Sequence, residues 1–166
     1  MDDGGMLVAA RVAAIMERCG YSDVSVLEGG IEAWKAAGYS VFAGVNVYSK
    51  AFGELAAEID DVPQIAPEAL RARIQRGDNI VVVDGRPVSE YQKMNIPGSI
   101  CCPGGELVLR IGEIAPDPAT TVVVNCAGRT RSIIGAASLR RFGVANEVVA
   151  LRNGTMGWRL AGFDLE

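Results

Sequence analysis

Two runs of the chain, NIVVVDGR (79–86) and TTVVVNC (120–126), are apolar and β-branched at consecutive positions and end in polar side chains. Unbroken apolar runs of this length predict short strands covered on both faces, as in the middle of a parallel sheet. RSIIGAASLRRFG (131–143) places its apolar residues at helical spacing and stops at Gly143, a natural C-cap. Between the strand runs, residues 90–119 predict a short helix, a turn at Pro97-Gly98, a short strand near 99–101 and a further helix. NEVVALRNGT (146–155) reads as one more strand. Strands alternating with helices predict an α/β fold, a parallel sheet with helices on both faces.

The same pattern occurs twice in part. GYSDVSVLEGGIEAWKAAGY (20–39) and GVANEVVALRNGTMGWRLAGF (143–163) share a frame that sets Leu27 on Leu151, Gly30 on Gly154, Trp34 on Trp158, Gly38 on Gly162 and Tyr39 on Phe163. Extended backward, it sets Ala13-Ala14 on Ala136-Ala137 and Asp3 on Cys126. The chain therefore divides into 1–44, a partial copy supplying a helix, one strand and the Gly-Gly…Trp segment; 45–62, an interdomain linker with a helix near 49–59; and 63–166, a complete copy. Matching repeat positions make Trp34 and Trp158 core anchors. Leu165 and Glu166 lie beyond the pattern.

Composition narrows the function. With 16 Lys and Arg against 20 Asp and Glu the chain is mildly acidic, which gives no reason to expect nucleic acid as a partner. Its apolar runs fall well short of the ~20 residues of a membrane helix, so no membrane partner is expected. Four cysteines, two of them adjacent, do not form a disulfide framework and point to a reducing, cytoplasmic setting. There is no histidine, which excludes within this chain a Cys-His dyad, a Ser-His-Asp triad and a His-ligated metal.

That absence sharpens interest in NCAGRTRS (125–132). Cys126 follows a buried strand and precedes a helix whose first-turn N–H groups carry the positive end of the helix dipole. Gly128 supplies backbone freedom, and small residues let the loop amides form a cradle for an anion. Arg129 and Arg131 add positive charge beside the sulfur, an environment that favours a thiolate nucleophile. Asp84 and Arg86, at the end of a neighbouring strand, read as a pair fixing that strand end. Cys101 and Cys102 read as strand and turn rather than as resolving thiols.

The residues 63–166 resemble the rhodanese-like family, the sulfurtransferases that carry sulfane sulfur as a cysteine persulfide. VVVDGRPVSEY looks like the family's Asp-x-Arg strand end, NIPGSI like its Ile-Pro-Gly turn, CAGRTR like its active loop and LRNGTMGW like its Leu-x-Gly-Gly…Trp segment. The resemblance implies a rhodanese-like parallel five-stranded sheet, preceded by a partial copy of the same fold. It also implies Cys126 as the persulfide carrier, with Ala127, Gly128, Arg129, Thr130, Arg131 and Ser132 as the substrate-binding loop and neither metal nor organic cofactor. Two positions depart from the pattern: Asn95 stands where many members have histidine, and Glu90 where the two-domain thiosulfate enzymes place a basic residue.

The expected reaction moves sulfur from a donor of the thiosulfate or mercaptopyruvate type to cyanide or a thiol acceptor. A non-catalytic binding or regulatory module is the alternative from another class, and Asp3 at the cysteine position makes the first copy such a case. A cysteine-based phosphatase is a further alternative, but those loops place five residues between cysteine and arginine, whereas four separate Cys126 from Arg131. The incomplete first copy leaves Val24, Val26, Leu27 and Trp34 without a full sheet, which points to a homodimer through residues 1–44.

Overall fold

The computed structural model describes residues 8–39, 41 and 47–166. It divides into two compact units, Met1–Val45 and Asn46–Glu166. Asp3, the counterpart of Cys126 in the repeat frame, lies outside the described residues.

The first unit contains helices α1 (Val8–Arg18) and α2 (Gly30–Ala36). After α1 the chain turns at Gly20, with φ 95°, and the N–H groups of Cys19, Gly20 and Tyr21 close onto the last carbonyls of the helix. Two successive left-handed residues, Gly29 and Gly30, start α2. Residues 24–27, expected as a strand, are not one, and no strand occurs among the described residues of this unit. A strand exists only as part of a hydrogen-bonded ladder, and β-branched composition does not supply the partner. Trp34 is likewise no core anchor: it is 41% exposed, stacked with Tyr39 at a centroid distance of 4.5 Å.

The second unit is an α/β sandwich. Its elements run α3 (Val47–Ile59), β1 (Gln64–Ile65), α4 (Pro67–Arg76), β2 (Ile80–Asp84), α5 (Val88–Tyr91), β3 (Ile100–Cys101), α6 (Leu107–Ile114), β4 (Thr121–Asn125), α7 (Thr130–Phe142), β5 (Val148–Leu151) and α8 (Gly154–Leu160). The strands form one five-stranded sheet in the order β1-β5-β4-β2-β3, and every pair is parallel. Side chains alternate between the faces. Val83, Val122, Val124, Val148 and Ala150 point into a core with Leu107 and Ile111 of α6 and Ile133, Ala136 and Leu139 of α7. Val82, Val123, Val149 and Leu151 meet Leu70 of α4, Ile96 and Trp158 of α8 on the other side.

Of the segment 45–62, expected as a linker, residues 47–62 pack as part of this unit. Ala56 and Val62 are buried in the α6–α7 core, and α3 lies so close to α7 that a Cβ on Gly53 would come within 2.6 Å of the Thr130 methyl. Small residues at 53 and 56 let the two helices approach, while the bulkier Phe52 and Leu55 stay exposed. At the other end, Glu166 exchanges two backbone hydrogen bonds with Asn95, at 2.8 and 2.9 Å, and Leu165 packs on the Trp158 core.

Candidate active site

The C-terminal ends of β2 and β4 lie side by side, Asp84 opposite Asn125, where the strand order reverses on either side of the β4–β2 pair. Open parallel sheets leave a crevice at that point. A buried polar network fills its floor. Arg86 makes a two-pronged pair with Asp84 at 2.9 and 2.8 Å, its side chain 2% exposed and that of Asp84 fully buried, and also donates to the Met94 carbonyl. The Asn125 amide donates to Asp84 at 2.7 Å and to the Thr155 hydroxyl at 2.9 Å. One network thus ties the ends of β2 and β4 to the first turn of α8. Buried charge is tolerated here because each carboxylate oxygen of Asp84 accepts two hydrogen bonds, from the Arg86 N–H and Nε on one and from Arg86 Nη2 and the Asn125 amide on the other.

Cys126 follows directly, 2% exposed, with its Sγ 3.6 Å from Ser132 Oγ. The loop from 126 to 132 rests on α8: Thr155 N–H donates to the Cys126 carbonyl at 2.8 Å and Met156 N–H to the Ala127 carbonyl at 2.9 Å. Such close backbone contact requires glycine at 154, where a Cβ would fall 2.3 Å from the Cys126 carbonyl oxygen and where φ is +53°. Gly128 is tight for a different reason, its missing Cβ making room for the Met156 methyl. The Arg129 carbonyl accepts from Ile133 N–H and from Ser132 Oγ.

The carbonyls of Cys126, Ala127 and Arg129 are therefore engaged, while among the described residues the backbone N–H groups of 127–132 donate to no protein acceptor. A run of unpaired N–H groups leading from Cys126 into a thirteen-residue helix carries the partial positive charge that such nests offer to an anion.

The two loop arginines do not add free charge to it. Arg129 is held at 2.7 and 2.9 Å by Glu54 of α3 and at 3.1 Å by Gln64 of β1. Arg131 is held at 2.8 Å by each carboxylate oxygen of Glu90 on α5. The hydrogen bonds from Arg131 keep the Glu90 carboxyl below the ordinary carboxylate range despite some opposing desolvation. The same hydrogen bonds raise Arg131, partly opposed by desolvation and reinforced by the charge of Glu90.

All the sequence-predicted loop residues come together here, as do Asp84 and Arg86 beneath them. Cys101 and Cys102 sit one strand further out, and burial pushes both thiols up. No His/Cys/Asp/Glu group able to hold a metal ion occurs among the described residues. Sequence reasoning missed Glu54, Asn125 and Thr155, and it noted Glu90 without its partner. Only the surplus of two arginines in a small loop hinted that carboxylates would be found for them.

The Rhodanese-like domain family matches residues 66–161 of the chain. A thiosulfate sulfurtransferase from Pseudomonas aeruginosa is similar in structure, with a TM-score of 0.73 and 52% identity over 98% of this chain and 31% of that one. The Bacillus subtilis protein YrkF is 28% identical over 57% of this chain and 51% of its own length. An HTH-type transcriptional regulator of Mycobacterium tuberculosis is 34% identical over 60% of this chain and 42% of its own. The chain thus spans about half or less of the length of each of these proteins.

Proposed function

Because the chain belongs to the rhodanese-like family, we propose that it is a sulfurtransferase whose Cys126 carries sulfane sulfur as a persulfide. With a thiosulfate-type donor, the Cys126 thiolate attacks the outer sulfur, the donor S–S bond breaks and its electron pair leaves on sulfite. An acceptor, cyanide or a thiolate, then attacks the outer sulfur of the persulfide and returns the electron pair to Cys126. A mercapto keto acid of the mercaptopyruvate type also serves the first step: the thiolate attacks its sulfur, the C–S bond breaks, and the electron pair leaves on carbon as an enolate that takes up the thiol proton to give the keto acid. Both displacements pass negative charge through the sulfur, and fixed amides facing it stabilise that charge without reorganising.

The observation that supports this reading is the division of labour in the loop: the Cys126 and Ala127 carbonyls tied to α8 and that of Arg129 to α7, with the amides of 127–132 left over. Core packing of a cysteine requires neither. In this reading Ala127, Gly128, Arg129, Thr130, Arg131 and Ser132 bind sulfur through their backbone, and Asp84 and Arg86 hold the floor.

The test is cyanolysable sulfur. After incubation with donor and removal of the excess, the protein should hold close to one sulfane sulfur per chain, gain the mass of one sulfur atom and lose it to cyanide. Cys126→Ser should hold none, while the Cys101→Ser/Cys102→Ser double variant should load normally. A double variant that is dead beside an active Cys126→Ser would move the site elsewhere. An unaltered protein that never loads would favour a binding or regulatory module.

A further inference from the structure

Both cationic side chains of the loop are spoken for by carboxylates from outside it, one on each flank. Arg129 meets Glu54 from α3, a helix lying N-terminal to the family match at 66–161, and Arg131 meets Glu90 from α5. The formal charges cancel pair by pair. What remains to attract an anion is the set of loop amides, a partial positive charge suited to roughly one negative charge. A thiolate at Cys126 already meets that. A donor with two further negative charges would enter a site with no net cation to offset the repulsion, and the Asp84–Arg86 pair below, itself neutral, adds none.

Resting on the sulfurtransferase reading, we propose that Glu90 and Glu54 determine donor selectivity: by cancelling the loop guanidinium charges they bias the site toward singly charged sulfane donors over dianionic ones. The bias is moderate. The Arg131 and Glu90 side chains are 41% and 42% exposed, those of Arg129 and Glu54 37% and 57%, so water screens both pairs and a dianion can compete for the guanidinium groups at a cost. Glu90 should matter more than Glu54, because it engages both terminal nitrogens of Arg131, whereas Glu54 holds only Nε of Arg129, whose Nη1 is held separately by Gln64.

The experiment compares two donors with the same reacting atoms and different charge, thiosulfate (dianion) and methanethiosulfonate (monoanion), with cyanide as acceptor. In each the outer sulfur passes to Cys126 and the S–S bond breaks, releasing sulfite or methanesulfinate. The quantity read is the ratio of kcat/KM for thiosulfate to that for methanethiosulfonate, in the unaltered protein, Glu90→Gln, Glu54→Gln and the double variant. The ratio should rise about fivefold to tenfold in the double variant, most of it from Glu90→Gln, and the rise should shrink as salt screens the freed charge. It should appear in KM rather than kcat, and Glu90→Asp, which restores the charge, should bring the ratio back toward that of the unaltered protein. A simple loss of loop structure would slow both donors and leave the ratio in place. An unmoved ratio with both donors turned over overturns this proposal and leaves the sulfurtransferase reading standing. No transfer from either donor by the unaltered protein overturns both.

Discussion

The segments 29–39 and 153–163 adopt the same turn, helix and cap in opposite environments. In each, two successive left-handed residues (Gly29 and Gly30, φ 68° and 59°; Asn153 and Gly154, φ 59° and 53°) open a seven-residue helix. In each, a left-handed glycine follows the helix (Gly38, φ 82°; Gly162, φ 85°), and an aromatic pair folds across the end at 4.5 or 4.9 Å. Yet Trp158 is 1% exposed and Trp34 41%. Local sequence is sufficient for the turn, the cap and the ring contact, because glycine and neighbouring amides decide them. Burial is not local. It needs the sheet face that Val82, Val123 and Leu151 build for Trp158.

The widest separation between the two copies is expected at the tryptophans. Trp158→Ala removes a fully buried ring whose N–H bonds the Asp164 carbonyl at 2.8 Å, and should cost about 3–5 kcal/mol in chemical denaturation. Trp34→Ala should cost about 1 kcal/mol or less, as at a half-exposed position. Equal costs would mean that the first segment is packed as tightly as the second.

Glycine gives the next contrast. At Gly154 an alanine meets both a left-handed φ and two loop carbonyl oxygens, at 2.3 and 2.6 Å, so the loop must move. Gly154→Ala should cost about 2–4 kcal/mol, more than backbone conformation alone, and sulfur loading at Cys126 should fall at least tenfold. Gly30→Ala, with a φ of 59°, should cost about 1–2 kcal/mol and leave loading alone. Denaturation and cyanolysis on the same two proteins separate these outcomes.

Where the copies differ in residue type, the difference traces to the site. The repeat frame puts Ile31 opposite Thr155, and Thr155 is needed because its hydroxyl accepts from Asn125. Thr155→Ile, which imports the first copy's residue, strands a buried donor and should cost about 1–3 kcal/mol. Thr155→Ser should recover most of it. An isoleucine variant as stable as the original would show the Asn125 network to be dispensable.

How much of this was legible depends on the range of the interaction. The Val runs became β2, β4 and part of β5 because consecutive apolar residues have one use in a parallel sheet. The Cys126 loop was visible because its parts lie within seven residues of sequence. β1, two residues long, has no pattern to read. The segment holding α3 was read as a linker because the contact with α7 is made by the small residues Gly53 and Ala56 while Phe52 and Leu55 face outward, and such a contact leaves no apolar stripe to read. Glu54 and Glu90 find their arginines 75 and 41 positions away, and no local rule assigns such partners.

The smallest expected effect concerns an ion pair in each copy. Lys35–Glu32 is a helical pair at 2.7 Å with side chains 51% and 64% exposed, and Glu32→Gln should change stability by no more than about 0.5 kcal/mol. Glu90–Arg131 is two-pronged but also substantially exposed, so after screening it too contributes about 1 kcal/mol or less. What distinguishes it is its dependence on acid. The Glu90 carboxyl is depressed in the folded protein, chiefly by hydrogen bonds from Arg131, so folding favours the charged form. Its stabilisation is complete above the ordinary carboxylate pKa of ~4.3 and is lost as pH falls through the lower, folded value. Arg131 is raised and titrates far above neutrality, so it leaves this window untouched. The stability difference between the unaltered protein and Glu90→Gln should therefore be flat from pH 7 to about 5 and close progressively below about 4. A gap that widens toward acid would reverse the sign and show that Glu90 is protonated more readily in the folded chain than in the unfolded one.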